Sequence, residues 1–399
     1  MFLALRELSF ARGRFALMGS VVALIAVLMV LLSGLSVGLV NDGVSGLKKL
    51  PVSSFAFEAG VDESAAFTRS MVEIDKAEMW VDVPGVADAA PFGLTLVNTR
   101  TDRGVDIDLA LFGVELDSWL LPTAATGSDL SGPGQILLAG TLADEGVAKG
   151  DVVVVDQIDK ELEVVGFVDG QHTFGHVDVG YVDLSTWQEI RAGARPGDEV
   201  PNHVYRWVTA IAVLNEGDAE PDVAAADEMA GTTTMTLEES FGASPGYTAE
   251  VMTVQMIQWF LYAISALVVG AFFTVVAIQR RQEIAVMRAM GASTGYLLRD
   301  SITQSVILLV VATAVGLGIG LALGAGLSAT EMPFALYPSA VAAASAFLVL
   351  LGLVGAWSAL SLVRAGNNLD TVRDLTEDLQ GSMAQLRAEL TARGFEAVR

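Results

Sequence analysis

The sequence predicts a membrane protein: four transmembrane α-helices plus an α+β extracytoplasmic domain inserted between helices 1 and 2. Three observations carry this. The 399 residues are 52% hydrophobic and only 18% charged, too apolar for a disordered chain and too long for one small domain. Four stretches, Phe15 to Val40, Val251 to Gln279, Ser301 to Thr330 and Met332 to Val363, hold no charged side chain. Each exceeds the ~20 residues needed to cross a ~30 Å hydrocarbon core. Between Asn41 and Glu250 lie 37 of the 47 acidic residues and 11 of the 23 basic ones, a local balance of −26 within a formal net charge of −24. That acidic segment is a solvated domain whose surface repels phosphate backbones, which argues against nucleic acid as a partner.

The elements follow in order. Residues 1–14 read as a short cytoplasmic interfacial helix, with Phe2, Leu5, Leu8 and Ser9 on one face. Residues 15–40 form the first span. A cleaved signal peptide is the rival reading, but the apolar run is longer than the 7–15 residues of such a core and no small-x-small cleavage site follows. Residues 41–250 are the inserted domain, 251–279 the second span, 280–300 a connection, 301–329 the third span and 333–363 the fourth. A tail, 364–399, continues with Leu369, Val372, Leu375, Leu379, Met383, Leu386 and Leu390 at spacings of three and four, the pattern of an amphipathic or coiled-coil helix. Arg6, Arg12 and Arg14 precede the first span, Arg280, Arg281, Arg288 and Arg299 fill the 280–300 connection, and Arg364 closes the fourth span. By the positive-inside rule both termini are cytoplasmic and the inserted domain faces out of the cell membrane. In the third span Gly316, Gly320 and Gly324 repeat every four residues, the small-xxx-small spacing of closely packed membrane helices. The GLGIG run there lies inside an apolar span and lacks the strand-turn-helix setting of a dinucleotide loop.

From Phe55 to about Gly242 short β-like runs alternate with helical punctuation. Strands are expected at 104–115, 151–156, 162–168, 177–182 and 204–213, and helices at 65–78, 142–147, 185–192 and 223–230. No catalytic constellation stands out. Cysteine is absent, which removes disulfides, thiolate metal sites and thiol nucleophiles. His172 and His176 have the i,i+4 spacing of a helical ligand pair, yet Thr173, Phe174 and Gly175 between them point to a loop. Glu73, Asp75 and Glu78 read as the solvated face of a helix. No metal site is expected.

A nucleotide loop of the Walker type needs a lysine after its glycines to reach the phosphates. All five lysines, Lys48, Lys49, Lys76, Lys149 and Lys160, lie in the inserted segment, so active transport by this chain requires ATP bound on a partner. A surface to receive that work is the connection QRRQEIAVMRAMGASTGYLLRD. There Ile284, Met287 and Met290 share a face, Glu283 and Arg288 point elsewhere and Gly291 caps the end. It reads either as a coupling helix seated on a partner or as an interfacial helix lying on lipid.

The run RRQEIAVMRAMGAS directly after a span resembles the connection of the MacB/FtsX-type ABC permeases, and GQILLAGTLADEGVAKGDVVVVDQIDKELEVVGFV, residues 134–168, resembles their external domain. The opening FLALRELSFARGRFALMGS and the PGYTAE run at 245–250 are similar to the haem-exporting, HrtB- and DevC-like branch of that family. The resemblance covers residues 1 to about 364 and the tail departs from it. It implies a homodimer working with two copies of a cytoplasmic ABC ATPase, coupled through Glu283, Ile284, Met287, Arg288, Met290 and Gly291. The chain itself would hold no catalytic site and no permanent cofactor, and haem would be the substrate.

Haem iron accepts Met, Tyr or His. The candidates for substrate contact are Met29 in the first span, Tyr247 and Glu250 at the mouth of the second, and Met252, Met256 and Tyr262 along its outer half. Each has an ordinary alternative as packing material. Two other functions stay open: export of another amphiphile such as a lipid, peptide or antibiotic, and an FtsX-like regulator that transports nothing but switches a cell-wall hydrolase.

Overall fold

The computed structural model describes residues 12–279, 290, 294–328, 330, 334–336, 338–339, 341–343, 345–355, 357, 377–378, 380–385 and 387–388. Residues 1–11 of the expected interfacial helix and most of the 280–300 connection and of the tail lie outside them. The chain divides into two compact units, one of residues 1–35 with 254–399, the other Ser36–Thr253.

Six helices matter below: α1 (Arg12–Lys48), α2 (Lys76–Val81), α3 (Leu184–Arg191), α4 (Val223–Ala230), α5 (Tyr247–Gln279) and α6 (Thr294–Leu327). Among the described residues three helical stretches are long and apolar enough to cross a membrane: Phe15–Lys48, Tyr247–Ala271 and Thr303–Leu327. The expected fourth span contributes described helical residues at 338–339, 341–343 and 345–355.

In the first unit the helices meet through small residues. A Cβ on Gly316 would lie 2.3 Å from the Ala23 carbonyl oxygen, and one on Gly320 2.9 Å from the Val30 Cβ. Gly324 faces the Phe334 ring. Gly316 and Gly320 of the four-residue spacing read in the sequence thus lie against α1. Gly318, off that spacing, has nothing within 4 Å. Met18, Val22, Val269, Leu308, Leu309 and Ala312 fill the space between the helices.

The second unit is built on a mixed 11-stranded sheet. Its longer strands are β1 (Ser54–Glu58), β2 (Val86–Thr101), β3 (Asp106–Val114), β4 (Gln135–Leu138), β5 (Val152–Val155), β6 (Lys160–Phe167), β7 (Val177–Asp183), β8 (Ala210–Asn215) and β9 (Thr232–Thr236). They run β9-β1-β8-β2-β3-β7-β4-β6, with β5 between β2 and β6. The 16-residue β2 holds the unit together. Its first half pairs β8 (Ala210↔Phe92 to Asn215↔Val86) and its second half pairs β3 (Gly93↔Gly113 to Arg100↔Asp106). At the changeover the Thr209 hydroxyl bonds both the N–H and the carbonyl of Leu94, at 2.9 and 3.2 Å.

One face of the sheet buries a cluster of rings, Phe55, Phe57, Phe67, Phe92 and Phe112, the last meeting both Phe174 and Tyr181, with contacting centroids 5.0 to 6.4 Å apart and mostly edge-on, the arrangement the ring quadrupole favours. The other face buries Trp80 of α2 and Trp187 of α3. Trp187 lies on Gly93 and Gly113, whose missing side chains leave it room.

Three expectations need correction. The helix expected over 65–78 is broken into a 3₁₀ turn at Glu63–Ala65, one turn at Ala66–Arg69 and α2, with a two-residue strand, Val72–Glu73, between them. Pairing of Val72 and Glu73 with Val208 and Trp207 outweighs local helix preference there. The strand expected over 204–213 begins as a 3₁₀ helix at Asn202–Arg206. The helix of the first span continues past Val40 to Lys48. The structure also adds the long β2, whose apolar residues do not alternate strictly because both faces of its first half are covered.

Over-packing a closed helix contact costs ~1–3 kcal/mol. Gly316→Val is expected to lower the detergent-solubilised melting temperature by several degrees. Gly318→Val, one turn-face away, should leave it within about a degree.

Candidate functional site

The candidate substrate residues fall in two places. In the first unit Met29 is 3% exposed and packs with Ile25, Ala26 and Leu348, while Leu261 and Tyr262 of α5 close on the same cluster. The Tyr262 ring meets Phe347 edge-on at 4.5 Å, and Trp259 touches both, at 6.0 and 5.8 Å. A thioether and a phenol, two groups that ligate haem iron, therefore share one apolar cluster of membrane helices. Met256 of this unit is 54% exposed, and Met252, which belongs to the second unit, is 64% exposed. With Phe260, Ile264 and Leu267, also exposed, they form a stripe along α5 at helical spacing.

Tyr247 and Glu250 belong to the second unit. Tyr247 packs against Phe241, with ring centroids 6.2 Å apart, on the edge of the aromatic core. Glu250 takes part in an arrangement that sequence reading did not foresee. His176 Nδ1 lies 2.8 Å from Asp42 Oδ2 and its Nε2 3.0 Å from Glu250 Oε1. One imidazole thus ties the end of α1 to the start of α5.

Local geometry positions that ring. Phe174 pairs Val177, so Gly175 and His176 are a two-residue hairpin loop. Both have positive φ, 59° and 66°, as the I′ turn that suits a twisted hairpin requires. Gly175 also donates its N–H to the Gly43 carbonyl at 2.9 Å. The same loop grips α1 at further points. Ser45 Oγ and Thr173 Oγ1 are 2.7 Å apart, Gln171 donates to Asp42 at 2.8 Å, and Lys49 donates to the Asp169 carbonyl at 2.7 Å. Gly46 is close enough to Val179 and the Thr173 carbonyl that a Cβ would lie 2.8 and 3.0 Å from them.

Partial burial opposes charging of His176, but its bond to Asp42 and the nearby Glu250 and Asp42 charges outweigh this and raise its pKa above 6.5. His172 goes the other way. Burial, with the Lys49 charge, pushes it down to about 4, so it stays neutral, with its Nδ1 hydrogen-bonded to the Tyr181 hydroxyl at 2.9 Å. Burial raises Tyr181 well above its ordinary value. Asp178, buried and accepting from the Thr141 hydroxyl, is raised to about 6. The two histidines share no helix face, and among the described residues no group of three or more His, Asp or Glu is placed to hold a metal ion. Glu73 pairs with Arg206 at 2.9 Å.

Of the coupling candidates, Glu283, Ile284, Met287, Arg288 and Gly291 lie outside the described residues; Met290 is 75% exposed. The sequence carried one usable sign of the His176 bridge: Gly-His between Phe174 and Val177 is a hairpin loop pattern. Its partners lie 134 and 74 residues away.

Comparison with known proteins places these features in a family context. Residues 256–367 match the FtsX-like permease C-terminal family. A Staphylococcus epidermidis protein named, provisionally, as the hemin transport system permease HrtB is 22% identical over 362 residues, covering 91% of this chain and 95% of its own. An uncharacterized ABC transporter permease of Mycobacterium tuberculosis is 20% identical over 313 residues, covering 78% of this chain and 82% of its own. The crystal structure of the periplasmic region of MacB from Actinobacillus actinomycetemcomitans is similar over 48% of this chain and 92% of its own, with 12% identity and a TM-score of 0.35.

Because the pKa of His176 is raised by folding, its contribution to stability is full below pH 6.5 and is lost as pH rises through the raised value. Neutral burial of His172 has the opposite sign, costing stability as pH falls from 6.5 toward 4. His176→Asn, which tolerates the left-handed backbone, should lower the melting temperature of the full-length protein at pH 6 and leave it unchanged at pH 9. The His172 effect is common to both proteins and cancels. A difference of equal size at both pH values would refute the charged bridge.

Proposed function

We propose that the chain is a MacB/FtsX-type ABC permease and that it is the membrane subunit of an efflux pump that expels haem from the bilayer. Permeases of this class work with an ABC ATPase subunit. We place two copies of that ATPase beneath a homodimer of this chain, with both termini cytoplasmic and the acidic domain outside.

The observation that carries the haem reading is the likeness to a hemin permease over 91% of the chain, inserted domain included. The Met29–Tyr262 cluster supports it chemically. It offers a sulfur and a phenol to iron and flat rings to a porphyrin, in a surrounding that excludes water. In this reading Met29 and Tyr262 are first met by the substrate when the helices part. The exposed stripe bearing Met252 and Met256 then faces lipid or the second copy, and Tyr247 and Glu250 stand where the chain leaves the membrane. Haem is substrate here; the chain holds no resident cofactor.

The coupling step needs no chemistry in this chain. ATP closes the partner subunits, the connection Glu283 to Gly291 moves with them, and α5 and α6, which it joins, carry the displacement into the membrane.

Co-expressed with its ATPase and reconstituted in lipid, the complex is expected to hydrolyse ATP several-fold faster with hemin. Met29→Ala with Tyr262→Phe should shift the Soret band and remove most of the stimulation. Scrambling 283–291 should abolish stimulation while leaving the fold intact. Stimulation by another amphiphile, with hemin inert, would overturn the substrate assignment.

A further inference from the structure

The second unit carries a groove that the export reading does not use. It encloses about 470 Å³ between α3, the 202–208 segment, Met71 and Thr95 of β2, within the ~300–1,000 Å³ of small-molecule sites. Gln188 of α3 holds its two sides together, donating from Nε2 to the carbonyls of Tyr205 and Trp207 at 3.0 and 3.1 Å. The walls are apolar and partly open: Trp207 and Val204 are half-buried and Met71 is exposed. Trp187 is the buried back wall and His203 stands at the rim.

Arg191 sets the charge of this groove. Its guanidinium lies 5.7 Å from the centre of the Trp187 ring, and among the described residues it has no ion pair. The neighbouring acids are already engaged: Glu189 by Lys160 at 2.7 Å and by the Tyr205 hydroxyl at 2.8 Å, Glu73 by Arg206 at 2.9 Å. Burial lowers the pKa of Arg191 and no nearby carboxylate opposes it. In a segment with 37 acidic and 11 basic residues, a half-buried arginine left without an acid is unexpected. An arginine presented over an aromatic wall is suited to bind a carboxylate through paired N–H donors.

We propose that this groove is a binding site for a carboxylate-bearing planar amphiphile, held by Arg191 at its acid group and by Trp207, Val204 and Met71 along its apolar body. The choice of a porphyrin dicarboxylate as that amphiphile rests on the export reading; the groove's demand for a carboxylate does not.

The test uses the full-length protein in lipid nanodiscs and follows quenching of tryptophan fluorescence by protoporphyrin IX and by its dimethyl ester, which has the same ring system without free carboxylates. Wild type should bind the diacid at least tenfold more tightly than the ester. Arg191→Gln should lose that preference and Arg191→Lys should recover part of it, with unchanged circular dichroism. Trp207→Phe, which keeps the groove's shape, should reduce the quenching amplitude. Equal binding of diacid and ester by wild type, or an Arg191→Gln protein indistinguishable from wild type, would overturn the proposal. Hemin stimulation of ATP hydrolysis, measured on the same variants, separates the two readings. If stimulation persists while the carboxylate preference is absent, the groove fails and the export reading stands. An Arg191-dependent preference without any hemin stimulation leaves the groove standing and removes the export reading.

Discussion

The second unit depends on the burial of the last two turns of α1 in its core. Val44 and Leu47 are fully buried among Phe112, Phe174 and Val179, each contributing ~1.5–3 kcal/mol in transfer terms. Around them Asp42, Gly43, Ser45 and Lys49 are bound by the 169–176 loop through side chains and backbone. A helix that begins as an apolar span thus ends as a core element of a soluble-type domain. Gly43 and Gly46 are the residues that let the backbones close, because a side chain at Gly46 would strike both Val179 and the Thr173 carbonyl.

This arrangement ties the end of α1 into the second unit. His176 extends it to Glu250, at the start of α5, so the ends of two helices that lead toward the other unit are joined by one imidazole. An imidazolium between two carboxylates is favoured by charge and weakened by deprotonation, so the link is conditional where the packing of Val44 and Leu47 is permanent.

The described part of the membrane unit follows a different rule. Its helices approach through absent side chains, Gly316 and Gly320 on α6 against Ala23 and Val30 on α1, and Gly355 against Ala266. Where apolar burial offers no driving force between helices, close backbone approach supplies dispersion contact instead. The Met29–Tyr262 cluster is packed differently: a thioether and aromatic rings fill the gap between the helices.

Sequence alone determined the features set by one-dimensional physics. Charge-free runs mark the apolar helices Phe15–Lys48, Tyr247–Ala271 and Thr303–Leu327 because a charge in hydrocarbon is costly, the glycine period marks a helix contact, and α4 falls at 223–230 as its pattern predicts. Tertiary structure decided the rest. The 16-residue β2 has no clean alternation because it is covered on both faces, and residues 65–78 and 202–206 yielded their local preference to strand pairing and to packing against α3. Asp42, His176 and Glu250 meet only after the sheet has folded, as do Arg191, Trp187 and Trp207. Contacts over such separations carry no periodic sign in the chain, because what selects them is the space left by neighbours and the charges left without partners.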